Sequence, residues 1–241
     1  MTAHRFHTPD LHLGILDLSP NEAHHANAVM RLKPGDAVEL FDGKGAIAVG
    51  ILQAAGKRGA SVEVTEIQRV ERPNSNPLVL AMAIPKSPRQ SFLFEKCTEL
   101  GVDAIWPITF DRSVVKTSAS GVAKWERTII EAGKQCRTAY LPEILSPLRF
   151  KEAVGTHRDD ATHVVCDPSA STSIADPIRA LDSGRSCVVW IGPEGGMTDH
   201  ETEQLASRGA VMAKLGGNIL RIETAAIAVA AAFALFAKST D

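Results

Sequence analysis

Cysteine is scarce in this chain. Its 241 residues hold four, Cys97, Cys136, Cys166 and Cys187, and no two lie close enough to form a CxxC pair. Zinc knuckles and dithiol redox motifs are thereby excluded. Each cysteine sits in an apolar stretch, where it packs as a small hydrophobe, so the reading is a reduced, cytoplasmic protein. An excess of one charge is missing too: 26 Lys and Arg stand against 28 Asp and Glu, a net of −2. The balance holds regionally, with 8 basic and 9 acidic residues in 1–72 and 18 and 19 in 73–241. A protein that coats nucleic acid by bulk attraction is basic, so any RNA contact has to come from local clusters. The longest apolar run, 225–237, falls short of the roughly 20 residues that span a bilayer. The polar residues 1–10 lack the apolar segment of a signal peptide.

Several signatures of chemistry are also absent. Without GxGxxG or GxxxxGK[ST], a dinucleotide fingerprint and a phosphate loop are disfavoured. No His or Cys cluster has metal-ligand spacing, so no metal is expected. His24-His25 reads as a solvated or capping pair. No nucleophile–base signature points to covalent hydrolysis.

What is present suits a folded enzyme: 44% apolar and 22% charged residues, enough to bury a core. The first part predicts a small β-rich domain over 1–72. Strand-like runs occupy 37–41, 46–52 and 61–67, the first two joined by Asp42-Gly43-Lys44-Gly45, a hairpin signal. Ser19-Pro20-Asn21-Glu22 is a capping box with Pro at the first helical position, opening a helix to Arg31 that Pro34-Gly35 stops. Residues 69–77 read as a linker. From 73 to 241 strands and helices alternate. Strands are expected at 78–84, 104–108, 163–167, 187–191 and 210–215. Helices are expected after Ser87-Pro88-Arg89-Gln90, at 122–136 and 174–181, from Thr198-Asp199-His200-Glu201 to Ser207, and at 223–238. Alternation of this kind means a mostly parallel sheet covered on both faces, an α/β class. The last helix is apolar almost all round and has to be buried inside the domain or between subunits.

Open α/β sheets bind ligands at the carboxyl ends of their strands. Three such ends stand out: Cys166-Asp167-Pro168-Ser169, Gly192-Pro193-Glu194-Gly195-Gly196, and Leu215-Gly216-Gly217-Asn218-Ile219-Leu220-Arg221. Glycine lets backbone approach a ligand closely, so such loops can hold a flat ligand through backbone groups. Each loop alone is equally an ordinary strand-to-helix turn.

In these motifs the chain resembles the ribosomal-RNA uridine N3-methyltransferases of the SPOUT (trefoil-knot) superfamily. The matches run in order over nearly the whole chain: His24 through Arg31, Gly35-Asp36, Asp42-Gly43, Lys96 through Val102, Arg112-Ser113-Val114, Gln135-Cys136-Arg137, Pro142-Glu143-Ile144, Ile191 through Gly196, and Leu215-Gly216 through Ile219 to Ala225. The last two motifs together, at this spacing, are the specific part. Met30 stands where the family has Leu, a volume-conserving change.

The resemblance implies a SPOUT trefoil-knot domain over 73–241 behind a PUA-like RNA-binding β-barrel over 1–72. It implies a homodimer that methylates N3 of a uridine in 16S ribosomal RNA of the small subunit, with S-adenosylmethionine as methyl donor. Donor contacts are expected from Asp167, Pro168, Ile191, Gly192, Pro193, Glu194, Gly195, Gly196, Leu215, Gly216, Asn218, Ile219, Leu220 and Thr224. Glu194 can equally stabilise its turn, and Thr224 can cap the last helix. Arg221 is a candidate for the target nucleotide, or else for an ion pair with Glu223 or Glu194. Arg221, Glu194 and Glu223 are the catalytic candidates, because the N3 proton has to be taken or the uracil anion stabilised. Arg5, His24, Arg31, Lys86, Arg89, Arg112, Lys116 and Arg137 are the RNA candidates, each alternatively a solvated charge.

Overall fold

The computed structural model describes residues 3–56, 59–72, 76–115, 117–156 and 160–237. Pro73, Asn74 and Ser75 of the expected linker, Lys116, and Lys238 of the expected last helix lie outside the described residues. The chain divides into two compact units, Met1–Arg72 with Gly133–Leu141, and Pro73–Ala132 with Pro142–Asp241.

In the first unit, β1 (His4–His7) and β2 (Gly14–Asp17) precede α1 (Pro20–His24), followed by β3 (Ala37–Phe41), β4 (Ala46–Gly56) and β5 (Gly59–Arg69). The sheet order is β1-β3-β4-β5-β2, with β1 parallel to β3 and the other pairs antiparallel. Strict alternation makes it fold this way. Val38 and Leu40, Ala48 and Leu52, and Val62 and Val64 all point to one side. There they join Phe6, Leu16, Leu18, Ala23 and Ala26 in a single core. Burial of each larger side chain is worth about 1.5–3 kcal/mol. The predicted hairpin forms between β3 and β4. Asp42 Oδ1 accepts from Lys44 N at 2.6 Å and Ala46 N at 2.9 Å, and Gly43 and Gly45 take left-handed φ of 73° and 103°.

The helix expected from Ser19 to Arg31 is interrupted. Ser19 caps it, its side chain accepting from Glu22 N, but after His24 the chain widens into a π turn over His25–Val29. Within that turn Asn27 Nδ2 donates to Gly56 O at 2.9 Å and Gly59 O at 3.3 Å. A side-chain anchor of this kind was not visible in the hydrophobic pattern. Arg31 then ends the segment in the left-handed region, φ 55°.

The second unit holds β6 (Leu78–Met82), α2 (Arg89–Glu99), β7 (Ala104–Thr109) and α3 (Ala119–Cys136), whose last turn belongs to the first unit. It continues with β8 (Glu143–Ile144), β9 (Leu148–Arg149), α4 (Phe150–Gly155), β10 (Thr162–Cys166), α5 (Ala175–Arg179), β11 (Cys187–Ile191), α6 (Asp199–Ala206), β12 (Val211–Ala213) and α7 (Ile222–Phe236). Its strands pair in parallel in the order β12-β10-β11-β6-β7-β8, with β9 also on β7. The β11 strand is buried along its whole length, as an apolar run in the middle of a covered parallel sheet should be.

Two expected caps fare differently. Thr198 and Glu201 make the reciprocal capping box at the start of α6. Ser87 does not cap α2: Pro88 holds the N-cap position with no side-chain cap bond, and Gln90 instead donates to Pro85 O at 2.8 Å. The apolar α7 packs against α2, α5, β6 and β11, burying Ile222, Ala225, Ala226, Val229, Ala230 and Phe233.

Candidate functional site

β10 has β11 on one side and β12 on the other, so the connection from β10 to β11 runs one way across the sheet and that from β11 to β12 runs back the other way. A crevice opens where the connections diverge. The three loops singled out by their residues leave the carboxyl ends of these three neighbouring strands. Two of them are stitched together by backbone: Asp167 N donates to Ala213 O at 2.9 Å, Lys214 N to Thr172 O at 2.9 Å, and Ile174 N to Lys214 O at 3.0 Å. The strand expected over 210–215 stops at Ala213 because Lys214 turns to make these bonds. In the first loop, Asp167 Oδ1 accepts from Ser169 N at 2.8 Å and Ser169 Oγ at 2.7 Å, a turn the aspartate side chain sets.

Between the loops lies a cavity of about 590 Å³, within the range of small-ligand sites. Asp167, Pro168, Ile191, Gly192, Pro193, Glu194, Gly196, Leu215, Gly216, Asn218, Ile219 and Leu220 line it. Gly195 and Thr224 do not. Gly195 faces Arg112 instead, and Thr224 is exposed on the first turn of α7. One wall was missed by sequence reasoning: Met197 together with Asp199, Thr202, Glu203 and Ala206 of α6. Their i, i+3, i+4, i+7 spacing puts them on one helix face. The capping box just after the glycine loop was the signal that could have found them.

The glycines are required where the loop bends. Gly196 has φ 72°, and its N–H donates to Pro193 O at 2.8 Å, closing a turn. A Cβ at Gly192 would come within 2.9 Å of Met197 Cγ and 3.2 Å of Met197 N.

The titratable groups nearby are tied together by Arg89. Its Nη1 lies 3.4 Å from Glu223 Oε2 and its Nη2 3.7 Å from Glu194 Oε1. The Glu223 side chain is 8% exposed and that of Glu194 39%. Arg221, expected as a possible partner of these carboxylates, pairs with neither among the described residues. It is the exposed N-cap residue of α7, with no cap bond from its side chain.

The comparisons bear on this site. The family model described as "RNA methyltransferase domain" matches residues 72–234, and "RNA methyltransferase PUA domain" matches 18–65. A ribosomal RNA small subunit methyltransferase E from Mycobacterium bovis is 32% identical over 214 residues, covering 86% of this chain and 80% of that one. The protein of the same name from Bacillus subtilis is 30% identical, covering 86% and 85%. The chain belongs to the ribosomal RNA small subunit methyltransferase E family. Among solved structures, the Neisseria gonorrhoeae ribosomal RNA small subunit methyltransferase E bound to S-adenosyl methionine superposes with a TM-score of 0.88 at 29% identity, covering 98% of both chains. The mixed α/β fold with a PUA domain ahead of a methyltransferase domain is therefore that of the family.

In the first unit of this family member, His24 and Arg31 are exposed. Arg137 is also exposed and left-handed at φ 60°, with its Nη2 2.7 Å from Glu39 Oε2. Arg5 departs from expectation. Its side chain is 2% exposed, with Nε 3.0 Å from Glu39 Oε1 and the guanidinium 4.1 Å over the Phe41 ring. Burial lowers its pKa, against the opposing pull of Glu39. No exposed guanidinium stands behind an RNA contact there. In the second unit Lys86 and Arg112 are exposed and Arg89 is half-buried.

Proposed function

We propose that the protein transfers the methyl group of S-adenosylmethionine to N3 of a uridine in the 16S ribosomal RNA of the small ribosomal subunit. The observation that carries this is the cavity at the carboxyl ends of β10, β11 and β12, built from the loops that carry the family's most specific motifs. Its residues fit the donor. The volume suits a nucleoside-sized ligand, Gly192, Gly196, Leu215 and Gly216 bring the backbone close to it, and Asp167, Asp199 and Glu203 add carboxylates to the wall, suited to a cationic sulfonium. The donor supplies an electrophilic methyl on a sulfonium, so a new N–C bond replaces a C–S bond without a metal.

The chain's part is to hold both reactants in line and to manage the N3 proton. Arg221, exposed and without an ion-pair partner among the described residues, stabilises the uracil anion. Glu194, the more exposed of the two carboxylates on Arg89, accepts the proton. Glu223, buried against Arg89, keeps that arginine in place. His24, Arg31, Lys86 and Arg137 take phosphates of the RNA, contacts that position the substrate without reading sequence.

The domain boundary near residue 72, the knot threaded by the last segment and the homodimer belong to the same proposal. The dimer is supported by exposed Leu235, Ile219 and Phe92, at 76%, 87% and 52%. A cytoplasmic location is supported by four free cysteines.

Incubation of the purified protein with radiolabelled S-adenosylmethionine and unmethylated small subunits, followed by nucleoside analysis, tests the reading. N3-methyluridine is expected. Label in another nucleoside overturns the acceptor, and no label overturns the enzymatic reading.

A further inference from the structure

We propose that Arg112 and Glu201 are positioning residues of the donor loop, holding 192–197 in its binding shape from outside the cavity. This rests on the reading of the cavity as the S-adenosylmethionine site.

The turn between Pro193 and Gly196 satisfies one carbonyl of the loop and leaves those of Gly195 and Met197 facing away from it. Both are taken by one atom: Arg112 Nη1 lies 3.0 Å from Gly195 O and 3.4 Å from Met197 O. The arginine stem lies on the loop backbone as well. A Cβ at Gly195 would meet Arg112 Cβ at 3.4 Å and Cδ at 3.6 Å. Arg112 is itself fixed by a tight turn after β7, in which Phe110 N donates to Ser113 Oγ at 2.9 Å and Ser113 N to Phe110 O at 3.0 Å.

Glu201 joins this turn to the far end of the donor loop. A capping box needs only one of its oxygens, and Oε2 serves it, accepting from Thr198 N at 2.7 Å and Thr198 Oγ1 at 3.2 Å. Oε1 goes elsewhere and accepts from Asp111 N at 2.9 Å. The residue is 2% exposed, so its carboxylate is held between these two partners rather than in water. Arg112 thus grips the middle of the loop, and Glu201 anchors its exit to the same turn that presents Arg112. The sequence offers Arg112 to phosphate, whereas the geometry commits its Nη1 to the loop.

The test is titration calorimetry of S-adenosylmethionine into wild type, Arg112→Ala, Arg112→Lys and Glu201→Gln, with donor and subunit KM measured in parallel. Losing charge-assisted bonds to two carbonyls weakens donor binding in Arg112→Ala by about tenfold. The donor KM rises, kcat moves less, and the thermal midpoint without donor stays put because the side chain is exposed. Lysine, which reaches one carbonyl, recovers part of the loss. Glu201→Gln, which has one acceptor where two are used, weakens donor binding and also lowers the midpoint. Unchanged donor affinity in Arg112→Ala overturns the proposal, and a rise confined to the subunit KM returns Arg112 to phosphate. If wild type binds no donor, the reading of the cavity itself has failed and the proposal falls with it.

Discussion

Alkaline pH should unfold the methyltransferase unit through two thiols remote from any chemistry. Cys97, on the buried face of α2, and Cys187, the first residue of β11, are both fully enclosed. Burial pushes each thiol from 9.0 up to about 12. The folded state therefore favours the protonated form. The thiols' contribution is complete below pH 9 and is lost as pH rises toward 12. At pH 10 an unfolded thiol of pKa 9 gains about 1.4 kcal/mol by ionising, while its folded counterpart gains almost nothing. Two such groups remove about 3 kcal/mol between pH 7.5 and pH 10, a large share of a typical domain's stability. Burial pushes the Cys166 thiol up to about 12 as well, so the comparison has to be differential: urea unfolding of wild type and the Cys97→Ala/Cys187→Ala double variant, in reductant, at both pH values. The three tryptophans, Trp106, Trp125 and Trp190, all lie in this unit, so fluorescence reports it alone. The variant starts less stable, since each lost sulfur leaves a small void, but loses about 3 kcal/mol less on going to pH 10. Equal losses in the two proteins would refute the reasoning.

Four further outcomes are expected. In the first unit, burial lowers the pKa of His7 below 6.5, opposed by Asp42. The fold there favours neutral imidazole, and stability present above pH 6.5 falls as pH drops below it. His7→Gln should flatten that acid limb in a chemical-denaturation series. Gly45→Ala places a methyl against the Tyr140 ring at φ 103° and should cost the first unit about 2–3 kcal/mol in urea unfolding. Trp190→Phe removes the indole N–H that donates to His163 Nδ1 at 3.1 Å in a fully buried site, and should cost about 2 kcal/mol with the midpoint read by calorimetry. Arg221→Ala, at an exposed position, should leave the thermal midpoint and donor affinity alone and lower kcat by about 100-fold in the methyl-transfer assay.

The parts of this molecule legible in its sequence are those fixed by local pattern. Alternation in 37–41 and 61–67 placed strands, Asp42-Gly43 placed a hairpin, and the capping box at Thr198 placed α6. The glycine loops were legible because backbone that bends sharply needs residues of one kind, as Gly196 shows. What was not legible is set by side chains acting across long sequence separations. The helix gives way to a π turn in which Asn27 bonds to Gly56 and Gly59. Arg89, offered to RNA by its charge, holds Glu194 and Glu223 together, the ion pairing that the sequence offered to Arg221 as an alternative. The short elements β8, β9 and α4 carry too few residues for any periodicity to show. The α6 wall of the cavity is legible in the same way, because the capping box at Thr198 sets the helix start and the spacing of Asp199, Thr202, Glu203 and Ala206 puts them on one face.

That the first unit takes in Gly133–Leu141 bears on its synthesis. When Arg72 leaves the ribosome, the chain of this unit is still incomplete. Glu22, buried with a side chain 8% exposed, lacks Lys134 Nζ, which lies 3.1 Å away in the finished protein. Gly45 lacks the Ala139 carbonyl to which its N–H donates. Both arrive only after the stretch 73–141 has been made, on the order of 3–14 s later at 5–20 residues per second. All five strands of the N-terminal sheet are by then made, but the unit waits through that interval without its 133–141 segment. A fragment cut at residue 72 would remain in that waiting state, lacking the Lys134–Glu22 ion pair. Anyone transplanting this unit has to carry the later segment along with it.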